Sequence, residues 1–127
     1  MEPIIVFALF AEDIVEYNPG YDILKVIPRV TVIPLAPDEL GVTTQRMLLF
    51  VQIIADTGTH ILSFIHDREE YLPQFKFEIL PQHAYVYTAV VERDFPIKYT
   101  DELSVNVFPL YVDGIFLAEA RILSNPM

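Results

Sequence analysis

Ser63 lies between His60 and His66 in the run HILSFIH, where a hydroxyl and two imidazoles are close in sequence. A hydroxyl becomes a nucleophile when an imidazole within hydrogen-bond reach takes its proton. The run is apolar and short, so it reads as a strand, and successive side chains of a strand point to opposite faces. Ser63 therefore turns away from His60, Leu62, Phe64 and His66, and a same-strand pair cannot form. The chain has no Gly-X-Ser-X-Gly, phosphate loop or Gly-X-Gly-X-X-Gly. The expectation is a protein without catalytic residues, not an enzyme.

Metal chemistry meets similar obstacles. His60 and His66 share a face, but six residues at ~3.3 Å each set them roughly 20 Å apart, too far to hold one ion. His83 sits in a turn. Cysteine is absent, which removes disulfides, thiolate catalysis and cysteine-type zinc or iron–sulfur sites. No cofactor and no metal are expected. The carboxylates gather at Glu12/Asp13/Glu16, Asp38/Glu39, Asp67/Glu69/Glu70, Asp94 and Asp101/Glu102. They read either as a solvated acidic rim or, if several loops meet, as oxygen ligands for Ca²⁺; Asp-X-Asp-X-Asp spacing is absent. Tyr85 and Tyr87 are expected on one strand face, with Tyr99 and Tyr111 elsewhere. They read as a sugar platform or as core residues with their hydroxyls at its margin.

Eight basic against 18 acidic side chains leave a formal charge of −10. Such a surface repels phosphate backbones and anionic lipid, so neither nucleic acid nor a membrane is an expected partner. The first residues lack the basic start of a secretory leader. The longest apolar run, residues 4–11, is far below the ~18 needed to span a bilayer. With no cysteine, this points to the cytoplasm.

The elements that must position these residues are strands. Apolar residues make up 53% of the 127, enough for a packed core and one domain over residues 1–127. Ten prolines and four glycines favour short, stiff connections. Residues 4–11 (IIVFALFA) and 46–55 (RMLLFVQIIA) are apolar on both faces and read as central strands. Residues 21–35 alternate but carry Pro28 and Pro34, which mark an edge strand or split the segment in two. Residues 60–66, 74–80 and 85–91 are further strands, with Phe75, Phe77 and Ile79 inward. Residues 36–44 and 92–102 read as loops. Closely spaced strands with no long amphipathic helix indicate an all-β fold. We expect a two-sheet antiparallel sandwich, immunoglobulin-like or C2-like, of seven to eight strands; a closed β-barrel is the alternative.

The chain closes on residues 103–123, which read as a β-hairpin turning at Asp113-Gly114. If those two residues are the whole loop, Val105, Val107, Pro109 and Tyr111 share a face with Phe116, Ala118, Ala120 and Ile122. That wholly apolar face is assigned to the core. The other face carries Phe108, Leu110, Val112, Ile115 and Leu117 near the turn, more apolar than a solvated strand should be. Either another loop of the same chain covers these five, or, the reading adopted, they form a protein contact with a second copy or another protein, giving a homo-oligomer.

Phe7-Ala8-Leu9 with Glu12-Asp13, then Leu24-Lys25-Val26, then Val112-Asp113-Gly114 with Leu117-Ala118 resemble a family of small bacterial proteins, the DUF6941 type. The likeness covers the two ends and leaves residues 45–100 aside; the glycine usual in the second element is absent. It implies a β-sandwich without assigning an activity. The expected function is a non-enzymatic interaction or structural module that self-associates or docks into a larger assembly. The alternative is a module binding Ca²⁺ or carbohydrate through acidic loops or tyrosines.

Overall fold

The two greasiest runs of the sequence occupy the two inner places of one sheet. The computed structural model describes residues 2–17, 20–26, 29–32, 41–64, 74–100 and 102–126. Its strands are β1 (Ile4–Tyr17), β2 (Gly20–Val26), β3 (Arg29–Val32), β4 (Gly41–Ile54), β5 (Gly58–Phe64), β6 (Phe75–Ile79), β7 (Val86–Tyr99), β8 (Ser104–Val112) and β9 (Ile115–Pro126). One sheet runs β2-β1-β4-β7 and the other β3-β9-β8-β5-β6. The architecture is an all-β sandwich of two sheets, not a closed barrel. Among the described residues the one helical feature is a 3₁₀ turn at Pro81–His83.

Every ladder is antiparallel except β3 beside β9, which is parallel. The proline-bearing segment is divided, as one of its readings had it: β2 edges the first sheet and β3 the second. Among the described residues nine strands therefore stand where seven to eight are expected. Parts of two expected loops are ladder instead. Residues 41–44 begin β4, and residues 92–99 continue β7 opposite them, from Leu48↔Glu92 to Gly41↔Tyr99. Phe95, Ile97 and Tyr99 alternate inward there, a period that the charges of ERDFPIKY disguise.

The hairpin turns where the sequence placed it. Asp113 and Gly114 have φ of 52° and 79°, and Val112 faces Ile115 and Tyr111 faces Phe116. Beyond that the faces of β8 are the reverse of the expected ones, whereas Ala120 and Ile122 of β9 lie in the core as expected. A bulge at Leu117 shifts the register, so Leu110 faces Ala118 and Phe108 faces Ala120. One extra residue in a strand exchanges its faces relative to its neighbour. Ala120 and Ile122 thereby join Phe108, Leu110 and Val112 on the buried side. Val105, Val107, Pro109 and Tyr111 take the outer side. The expected core face of β8 is thus its outer face.

The core lies between the sheets. Phe10 of β1, Phe95 of β7 and Phe108 of β8 meet edge to face, with centroids 5.1–5.8 Å apart. Such pairs contribute about 0.5–1.5 kcal/mol beyond the area they bury. Among the described residues two polar side chains, Asn106 and Ser124, penetrate this layer. Asn106 accepts from the Lys98 backbone N–H at 2.7 Å and donates to its carbonyl at 2.9 Å, and the Ser124 hydroxyl donates to the same carbonyl at 2.8 Å. A side-chain amide here does the work of a neighbouring strand, tying β7 to β8 and β9 across the sandwich.

Candidate functional site

The five expected contact residues do not form a surface. Phe108, Leu110 and Val112 are buried core, and Leu117 is half-buried against it; only Ile115 is exposed. Their apolarity belongs to the inside of the sandwich, for the register reason given above.

Ser63 and His60 diverge as expected. His60 instead pins the hairpin turn to β5. Its Nδ1 lies 2.6 Å from Asp113 Oδ2 and its Nε2 lies 2.6 Å from the Asp56 carbonyl. Asp113 also accepts from the Ile61 N–H at 2.9 Å, and its own N–H donates to the Ile61 carbonyl. The imidazole stacks on Phe77, with centroids 5.5 Å apart. Both ring nitrogens face oxygen acceptors, so only the doubly protonated imidazolium satisfies both. A ring holding both protons in this way is no base for a hydroxyl.

The charges follow that geometry. Burial, the largest single influence, disfavours the His60 imidazolium. Its hydrogen bonds to Asp113 and Asp56 and the nearby carboxylate charges outweigh burial, so its pKa stands above the ordinary imidazole value. For Asp113 burial again acts first, upward, and the hydrogen bonds from His60 and Ile61 with the His60 charge bring it below the ordinary carboxylate value. A raised His60 pKa contributes stability fully below about pH 6.5, lost as pH rises through the folded value. A lowered Asp113 pKa contributes above about pH 4, lost on acidification. The pair is therefore most stabilising between those limits. Melting temperatures at pH 5.5 and 8.5 are expected to fall with pH for the wild type more than for His60→Gln. The difference should be within about 1 kcal/mol, since Asp113 is partly solvated. Equal pH dependence in the two proteins would contradict the imidazolium.

The other chemistry-bearing residues are dispersed. His83 Nδ1 accepts from the Leu80 N–H within the 3₁₀ turn, and its ring edge meets Tyr87. His66, Asp38, Glu39, Asp67, Glu69, Glu70 and Asp101 lie outside the described residues. Among the described residues no three His, Asp or Glu gather as a metal site. Arg46 bridges Glu92 at 3.1 Å and Asp94 at 3.7 Å beside Glu12, Met47 and Leu48, lining a shallow cleft of about 190 Å³. Such exposed pairs are worth little in stability. Tyr85 and Tyr87 do not form a platform. Tyr87 stacks on Phe77 inside, whereas Tyr85 precedes β7 with φ of 69° and is exposed.

What the sheets do assemble is an apolar outer face. Three rows of the first sheet are in register: Ile4, Ile54 and Val86; Phe7, Gln52 and Thr88; Leu9, Phe50 and Val90. None of the nine is charged. The next row brings Ala11, Leu48 and Glu92, where charge begins. Ile4 and Val6 are about half exposed, and Phe7, Val86 and Val90 more than a third. Phe7 stacks flat on Phe50, with centroids 5.2 Å apart. The outer face of the second sheet also shows apolar residues, among them Val105 and Phe116, but the Glu119–Arg121 pair and Lys76 interrupt it. Residues 4–11 are apolar on both faces, so the sequence carries no mark of which side of β1 stays open.

Comparison with known proteins finds no matching family model, curated protein or solved structure. No helix is long and apolar enough to cross a membrane among the described residues.

Proposed function

We propose that this chain is a non-enzymatic contact module that docks through the outer face of its β2-β1-β4-β7 sheet. The supporting observation is the run of uncharged positions spanning β1, β4 and β7, with Ile4, Val6, Phe7, Val86 and Val90 open to solvent. Contiguous exposed apolar patches are uncommon on soluble monomers and mark contact sites. A domain with −10 net charge that keeps one end of one face free of charge holds that end for something apolar. The engagement of both His60 nitrogens supports the non-enzymatic part of the reading.

The probe is an apolar reporter dye, anilinonaphthalene sulfonate. The folded wild type should enhance its fluorescence, and the double variant Ile4→Lys, Val6→Lys should lose most of that enhancement while melting as before. A folded wild type without enhancement, or an equal signal from the variant, would overturn the reading.

A further inference from the structure

β7 ends its sheet, so among the described residues one of its edges has no strand beside it. Three contacts establish which backbone groups face that edge. The Ala55 N–H donates to the Tyr85 carbonyl at 3.0 Å, on the β4 side. Lys98 N–H and C=O, by contrast, are taken by Asn106 and not by Val42, which stands opposite Lys98 on β4. Arg93 Nη1 reaches back to the Glu92 carbonyl at 2.7 Å. Antiparallel neighbours alternate between hydrogen-bonded and non-hydrogen-bonded pairs. Even-numbered residues of β7 therefore point their N–H and C=O groups away from β4.

The second half of that edge is guarded. Arg93 occupies the Glu92 carbonyl, and Glu92 and Asp94 carry charge. Pro96 has no N–H to offer, and Asn106 closes Lys98. Sheet edges are protected by such prolines, charges and covers. Among the described residues the first half has none of these. Val86, Thr88 and Val90 offer edge-facing amides and carbonyls with no partner among the described residues, and their side chains belong to the uncharged face. Ala84 and Tyr85, with φ of 52° and 69°, end the strand immediately before them.

We propose that residues 86–90 of β7 pair antiparallel with the same residues of a second copy, about a two-fold axis at Thr88. The two four-stranded sheets become one of eight, and their two apolar faces lie on the same side. This rests on the contact-module reading and names its partner. The strip is self-complementary. An axis at Thr88 sets Val86 against Val90 of the partner subunit and Thr88 against its counterpart. All three pairs are of the hydrogen-bonded kind, giving about six backbone bonds. Opposed threonines and valines are favourable cross-strand pairs, and like charges directly opposed are not. In this register Glu92 stands opposite Ala84 and Asp94 opposite Gln82. An axis at Glu92 would set two carboxylates face to face, which a chain of net charge −10 tolerates poorly. Two-fold contacts of this kind are the commonest route to homodimers.

The test is molar mass by sedimentation equilibrium from micromolar to millimolar protein, for wild type, Thr88→Pro and Val90→Lys. Thr88→Pro removes an edge-facing N–H and no bond to β4; Val90→Lys adds charge at an exposed position. Wild type should rise from 14.6 kDa toward twice that mass, and each folded variant should associate at least tenfold more weakly. If Thr88→Pro fails to fold, Val90→Lys decides. A wild type monomeric at millimolar concentration, whether or not it accepts a foreign extended peptide, overturns the proposal. So does wild-type association by a folded variant. Ile4→Lys, Val6→Lys should still dimerise, because β1 lies two strands from the joint. If that variant alone dissociates, the edge pairing is wrong and the face reading stands. Loss of dye binding with dimerisation intact in the wild type would remove the face and leave the edge.

Discussion

Leu110→Lys is expected to leave a chain with no cooperative melting transition. Leu110 is fully buried on the inward side of β8, facing Ala118 across the hairpin and Phe64 on β5. Removing a buried leucine side chain alone costs about 2–5 kcal/mol. Among the described residues an ammonium in its place has no acidic partner within the apolar layer, which adds a desolvation penalty of several kcal/mol. A domain of this size has about 5–15 kcal/mol in all. Circular dichroism melting of Leu110→Ala and Leu110→Lys checks this: the alanine variant should melt cooperatively at lower temperature, the lysine variant not at all. A lysine variant that melts like the wild type would mean that this face of the hairpin is solvated and the Leu117 bulge wrongly placed.

The second large effect is expected at Asn106. Leucine matches its shape but cannot serve the Lys98 N–H and carbonyl, which then lose their substitute for a strand partner. Leaving a buried or half-buried backbone donor unsatisfied costs roughly 1–3 kcal/mol. Ser124→Ala removes one of two or more donors to the same carbonyl and should cost less. Urea unfolding monitored by tyrosine fluorescence separates them: Asn106→Leu should lower the midpoint more than Ser124→Ala, at unchanged slope. Equal midpoints would show that the amide is filling space rather than serving the strand edge.

How much of this was legible depended on how local each signal is. The Asp113-Gly114 turn is a two-residue signal, and φ at both positions is positive as a primed turn requires. The alternation of residues 75–79 is equally local, and Phe77 and Ile79 are buried while Lys76 and Glu78 are exposed. The inner places of β1 and β4 follow from two long apolar runs, the second charged only at Arg46 where it begins. The Leu117 bulge has no such mark. It is a non-glycine residue inside an unbroken apolar run, and one unmarked insertion reversed the assignment of Phe108, Leu110 and Val112. The extension of β7 to Tyr99 was hidden by Pro96, which reads as a strand breaker. It is tolerated because its missing N–H would have pointed away from β4, so no ladder bond is lost. The apolar outer patch was invisible because residues 4–11 supply both faces of β1 with apolar side chains, and only the register against β4 and β7 shows which stay open.

The open edge of β7 is most directly tested by amide hydrogen exchange in the wild type at low and high protein concentration. The amides of Tyr87, Ala89 and Val91, which face β4, should be protected at both. Those of Val86, Thr88 and Val90 should exchange quickly in dilute protein and become protected at high concentration. Even-numbered amides already protected in dilute protein would mean that the edge is covered within the chain. Even-numbered amides still fast at high concentration would mean that no second copy pairs there.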